Sequence, residues 1–200
     1  MKRLFLVMAV SICFASAGDI AVEQLVVVGG STDTEYLQYD DGIPAWYAWG
    51  GVYRGVWFNT DDFLPSASGF LLDYSEFWVS GGGFYAQVWN GGPSGPEELL
   101  DSQFVDPAEY TRGLVYYVPP LETKANFWII ENTEPSPGGW PMLMGDGTPP
   151  AVDHSFFSDD FFTWEPWSDG STTGDYLIRA GGNFSTAIAN STWGGIKATF

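Results

Sequence analysis

Short apolar and aromatic runs alternate with clusters of Gly, Pro, Asn and Asp along nearly the whole chain. Helical spacing of apolar positions is almost absent, and the pattern is that of many short strands joined by turns. Residues 20–28 form an apolar, β-branched run stopped by Gly29-Gly30. Residues 36–39 predict a short strand ended by Asp40-Asp41-Gly42, a strong turn signal. In residues 51–59, Val52, Val56 and Phe58 fall on one face, and Tyr53 and Trp57 on the other. Residues 70–79 predict the next strand, closed by Gly81-Gly82-Gly83. Phe84, Ala86 and Val88 then share a face opposite Tyr85, Gln87 and Trp89, until Asn90-Gly91-Gly92-Pro93 breaks the run. Residues 97–101 predict one helical turn at most. Residues 114–118 and 127–130 predict two strands separated by Pro119-Pro120. A turn-rich stretch follows Pro135, and residues 176–180 predict a closing strand with Tyr176, Ile178 and Ala180 on one side.

Parallel strands need crossover segments, usually helices, and these are mostly missing. The expected fold is therefore all-β, an antiparallel two-sheet β-sandwich. No internal repeat of fixed length suggests a propeller or solenoid.

The ends carry an address. Lys2 and Arg3, the apolar residues 4–14 and Ala15-Ser16-Ala17 have the layout of a secretory signal peptide. The apolar run is shorter than the ~20 residues of a membrane span. The expected organisation is a signal over 1–17, an N-terminal strand or linker over 18–34, a sandwich over 35–182, and a tail over 183–200. That tail reads as a last strand or a sorting segment. The expected location is extracellular or on the cell surface, with no membrane span in the mature chain. Cys13 is the only cysteine and falls in the signal, so the mature chain offers no disulfide, thiolate metal site or cysteine nucleophile.

The chain has seven basic and 25 acidic residues, a formal charge of -18. Loss of Lys2 and Arg3 leaves five basic residues and a formal charge of -20. Nucleic acid needs clustered Lys and Arg, so it is excluded as an expected partner. Disorder, the other consequence of acidity, conflicts with an aromatic content of 18%.

Candidate chemistry is sparse. A serine triad needs a base, and His154 is the only histidine, placed after Asp153 in a Pro-rich region. One His without Cys supplies no zinc site. No sequence signature singles out a carboxylate pair for glycoside hydrolysis. No catalytic residue is therefore expected. Calcium takes oxygen ligands, and acidic turns at Asp40, Asp41, Asp61, Asp62, Asp159, Asp160 and Asp169 supply them; ordinary turn chemistry explains the same residues. Asp40, Asp41, Asp159, Asp160 and Asp169 are the candidate calcium ligands. Trp46, Tyr47 and Trp49 in one stretch, and Trp164 and Trp167 around Pro166 in another, are candidate ligand-binding aromatics; closing the ends of the core is their other role. Residues 20–28 are suited to leave their own domain and complete a neighbour's sheet, or to pair within their own.

Several phrases resemble one another's neighbours in a known setting. Tyr39-Asp40-Asp41-Gly42, Gly55-Val56-Trp57-Phe58, the stretch from Ala86 to Pro96, Ala125-Asn126-Phe127-Trp128-Ile129-Ile130 and Gly174-Asp175-Tyr176-Leu177-Ile178-Arg179-Ala180 occur in that order. Together, across residues 35–182, they resemble a jelly-roll-like β-sandwich module of large secreted and surface proteins of bacteria. In that setting the module often sits beside proteases or C-terminal sorting domains. The resemblance implies an accessory, non-catalytic role and carries over no catalytic residues. The resulting expectation is an extracellular structural, adhesive or self-assembling subunit. Its partners would be copies of itself or other surface proteins. The second reading is a carbohydrate-binding module that takes polysaccharide through exposed Trp, with calcium.

Overall fold

The structure is a computed structural model and describes residues 34–48, 50–108, 111–136, 140–168, 170–171 and 173–185. The expected signal peptide, the strand at 20–28, Trp49, Asp169 and the tail from 186 lie outside the described residues.

Two antiparallel sheets pack face to face. The first contains β1 (Glu35–Leu37), β12 (Ile178–Ser185), β4 (Gly69–Val79) and β7 (Thr111–Lys124), hydrogen-bonded in that order. The second contains β3 (Tyr53–Asn59), β8 (Asn126–Asn132), β5 (Phe84–Asn90) and β6 (Glu98–Val105), also in that order. The chain passes between the sheets at nearly every connection. Strand orders 1-12-4-7 and 3-8-5-6 are those of an eight-stranded jelly roll. Short strands extend this frame. β2 (Trp46–Ala48) pairs with β9 (Leu143–Gly145), which joins the end of β4; β10 (Ser155–Ser158) and β11 (Glu165–Pro166) widen the second sheet beyond β3.

The alternation read from the sequence is the alternation of the core. Phe84, Ala86, Val88, Val56, Phe58, Tyr176, Ile178 and Ala180 all lie between the sheets. Each large apolar side chain buried there contributes ~1.5–3 kcal/mol. β8 is buried on both faces, with Phe127 and Ile129 in this core and Trp128 and Ile130 in a second cluster outside the second sheet. That double burial is why its sequence is a continuous apolar run. Val52 departs from the expected face and packs with the second cluster.

Two expectations are corrected. Residues 97–101 make no helical turn; from Glu98 they open β6, which pairs along β5. Val88 stands opposite Asp101 and Trp89 opposite Leu99, so Leu100 is the extra residue of a bulge and packs on the core. A bulge hides strand periodicity because two neighbouring residues share one partner. Pro119-Pro120 likewise does not end its strand, since β7 runs through it. Tyr116 pairs with Tyr74 and Leu121 with Leu72, leaving both prolines inside a register break on an edge strand, where no ladder donor is required.

Candidate functional site

The outer faces of the two sheets carry aromatic side chains in different settings. On the first sheet, parity places Tyr116 of β7 outward because Val115 and Tyr117 are buried. Tyr36, Gly181, Tyr74 and Tyr116 stand opposite one another in one row across four strands. Three strand spacings separate the ends of this row, roughly 14 Å. Gly181 makes the row possible: any Cβ there would collide with the Tyr74 ring, which lies over it. The Tyr74 and Tyr116 rings are 5.9 Å apart and tilted by 48°. Tyr116 remains 62% exposed.

The adjacent row is ionic. Arg179 Nη2 and Nε donate to Asp40 Oδ1 and Oδ2 at 2.6 and 2.9 Å. Its Nη1 donates to Tyr36 Oη at 3.1 Å and to Glu76 Oε1 at 3.3 Å. Burial disfavours the Arg179 charge, but the hydrogen bonds it donates to Asp40 and Tyr36 outweigh this and raise the pKa. The guanidinium groups of Arg179 and Arg112 lie 5.4 and 6.0 Å from the Trp78 ring, within cation–π range. Arg112 Nη1 also meets Glu76 Oε2 at 3.5 Å. Two arginines thus balance Asp40 and Glu76 within this network, on a chain of formal charge -18.

The outer face of the second sheet is covered by the chain itself. Phe156 of β10 and Trp164 close over Trp128, with ring centroids 5.3 and 5.0 Å away. Phe161 meets Trp89 at 4.8 Å and Tyr53 at 5.0 Å. The turn that delivers Phe161 is clamped: Ser158 Oγ accepts its N–H, and Asp160 Oδ1 accepts those of Phe162 and Thr163. Phe161 adopts φ 68°, a left-handed conformation uncommon for a bulky residue and sustained here by packing.

An open cleft of about 480 Å³ lies at one end of the sandwich, between the loops around residues 41, 148–152 and 175. Tyr39 and His154 stack in its wall at 3.5 Å, and Trp57 stacks behind His154 at 5.2 Å. His154 Nδ1 lies 3.0 Å from the Trp57 carbonyl oxygen, and its Nε2 lies 3.9 Å from Asp62 Oδ2. Burial lowers the His154 pKa. Asp146 ties the loops together by accepting the N–H groups of Asp41, Thr148 and Asp175. Asp175 is 3% exposed and accepts a 2.8 Å hydrogen bond from Ser155. Burial, reinforced by Asp146, Asp40 and Asp153, pushes its carboxyl up to about 7.

The acidic turns are occupied by their own loops. Asp40 is corrected from a calcium ligand to a buried counter-ion, since Arg179 engages both of its oxygens. Asp41 accepts the Ile43 N–H and the Thr148 hydroxyl, and Asp160 caps its turn. Asp159 is exposed beside it. Among the described residues no three His, Cys, Asp or Glu are grouped to hold a metal ion. The aromatic candidates separate. Trp46 and Tyr47 are half exposed on β2. Trp164 belongs to the cover over the second sheet, and Trp167 stacks on Tyr176 at 4.6 Å and packs against the core. The residues missed in the sequence are Tyr36, Tyr74, Tyr116 and Asp175. Alternation in β7 was the available signal for Tyr116; nothing local marked the other three as neighbours of anything.

Comparison with protein-family models, with curated proteins and with solved structures returned no match.

Proposed function

We propose that this protein is a secreted, non-catalytic binding module that holds a neutral polysaccharide on the outer face of its first sheet. The observation that carries this reading is the row Tyr36–Gly181–Tyr74–Tyr116, an aromatic strip with polar groups beside it. A pyranose ring is apolar on its C–H faces and polar at its rim. Exposed Tyr36 and Tyr116 with half-buried Tyr74 match the first, and Arg112 and the Asn183–Asp73 pair at the border match the second. The formal charge of -18 favours an uncharged glycan, because a polyanion would be repelled by the chain. The strip is built on paired strands rather than loops, so the rings are already in place and little ordering cost opposes binding.

Retention on insoluble cellulose, xylan and mannan tests the reading. Tyr116→Ala and Tyr74→Ala are expected to reduce retention at least about tenfold, a loss of ~1.4 kcal/mol. Phe162→Ala, at a position 89% exposed on the covered side, is the control. Retention that follows Phe162 and ignores both tyrosines would overturn it.

A self-assembling subunit is the second reading, favoured by one observation. β6 is an edge strand without proline, whereas β7, one edge of the other sheet, contains Pro119-Pro120. An unblocked edge accepts a strand from a neighbour. Concentration-dependent oligomers lost in Gln103→Pro support it; a monomer at all concentrations excludes it.

A further inference from the structure

The cover over the second sheet has a groove of its own, of about 290 Å³. Phe161, Phe162 and Trp164 reach it from the clamped turn, Trp89 from β5, and Pro96 and Glu97 from the loop after β5. The rings are inclined to one another. Phe161 lies 4.8 Å from Trp89 at 47° and 5.7 Å from Trp164 at 75°. Both indole N–H groups are engaged: Trp164 Nε1 donates to the Phe161 carbonyl oxygen at 3.0 Å, and Trp89 Nε1 to Gln87 Oε1 at 3.3 Å. A ligand therefore meets these rings through their carbon surfaces. Phe162 is 89% exposed, although Asp160 fixes its backbone N–H at 2.8 Å. A large apolar ring held in water by an ordered turn contributes almost no burial energy to the fold. The loop side is fixed as well, because the Gly92 carbonyl accepts the Gly95 N–H and the Asn90 carbonyl accepts that of Glu97.

Charge selects the occupant. The lining has one carboxylate, Glu97, and no Lys, Arg or His. On a chain of formal charge -18 such a groove attracts a cation and repels phosphate. Aromatic rings beside a carboxylate stabilise a cation through the ring quadrupoles and the charge together. Besides Glu97, Ser94 is the one polar side chain in the lining. Two polar groups leave most of the hydroxyl rim of a sugar without partners.

We propose that this groove binds a small quaternary ammonium ion without phosphate, its methyl groups against Trp89, Phe162 and Trp164 and its charge beside Glu97. Such an ion is apolar at its surface, positively charged, and has no N–H that needs an acceptor. The site stands on the other sheet from the tyrosine strip and does not depend on it.

Isothermal titration calorimetry on the full chain at low ionic strength tests the proposal with three probes. Choline carries the trimethylammonium group. Its neutral isostere 3,3-dimethylbutan-1-ol keeps the shape without the charge, and ethanolamine keeps the charge without the methyl groups. Choline is expected to bind, and each of the others at least about tenfold more weakly. Phe162→Ala, at an exposed position that the fold does not rely on, is expected to weaken choline about tenfold. Glu97→Gln, also exposed, is expected to weaken it about threefold and to reduce its dependence on salt. Phe104→Ala, an exposed aromatic outside the groove, leaves choline binding unchanged. Absence of choline binding, equal affinity for either control probe, or unchanged affinity in either groove variant overturns the proposal.

Discussion

The two outer faces of this sandwich start from the same sequence pattern and end in opposite states. On both sheets aromatic residues alternate with core residues and point away from the core. Over the second sheet, the connection between β8 and β12 adds β10 beside β3 and brings Phe156, Phe161 and Trp164 against Trp128, Tyr53 and Trp89. Over the first sheet the described residues lay nothing comparable, and Tyr116 stays open to solvent. The covered aromatics have become a second core, and the open ones form a surface with an ion-paired border. An outward-facing aromatic residue is therefore a ligand platform only where the chain does not return to cover it.

The difference should appear first in stability. Trp128→Ala removes a fully buried ring from beneath Phe156 and Trp164 and is expected to cost ~3–5 kcal/mol in urea unfolding. A cost under ~1 kcal/mol would mean that the cover is not part of the folded unit.

A smaller effect comes from the end of the sandwich, where Ser155 of β10 meets Asp175. The Asp175 carboxyl is pushed up to about 7 in the fold, against ~3.9 in an unfolded chain. Between those values the folded chain keeps a proton that the unfolded chain has lost. Stability is therefore expected to fall as pH rises from about 4 to about 7, and to level off above that, by on the order of 2 kcal/mol. Burial raises the Glu131 carboxyl in the same direction, against the pull of Arg54. Asp175→Asn keeps an oxygen for Ser155 and should flatten the slope and raise the melting temperature at pH 8. An unchanged slope would assign it to other groups.

The smallest stability effect is expected on the open face. Tyr116→Ala should shift unfolding by no more than ~0.5 kcal/mol while removing glycan retention. A cost comparable to that of Trp128→Ala would erase the distinction between the two faces.

Much of the frame was legible along the chain. Alternation in β3, β5 and β12 named Phe58, Val88 and Ile178 as core before any pairing was known, because a strand's side-chain period is local. The turn cluster Gly81-Gly82-Gly83 marked the break between β4 and β5, whereas β1 stops at Leu37, ahead of Asp40-Asp41-Gly42. β6 was not legible, since the bulge at Leu100 breaks the period, and neither was the passage of β7 through its prolines, which depends on its being an edge. Asp40 looked like any acidic turn residue because its partner Arg179 is 139 positions away. The all-β class, the inward faces of most strands and the acidity belong to the sequence alone, because composition and alternation need no partner. Which aromatics are covered, which carboxyl is buried against Ser155, and which tyrosines share a row were decided by tertiary structure. Those properties are relations between strands far apart in the chain, and only the antiparallel register brings them together.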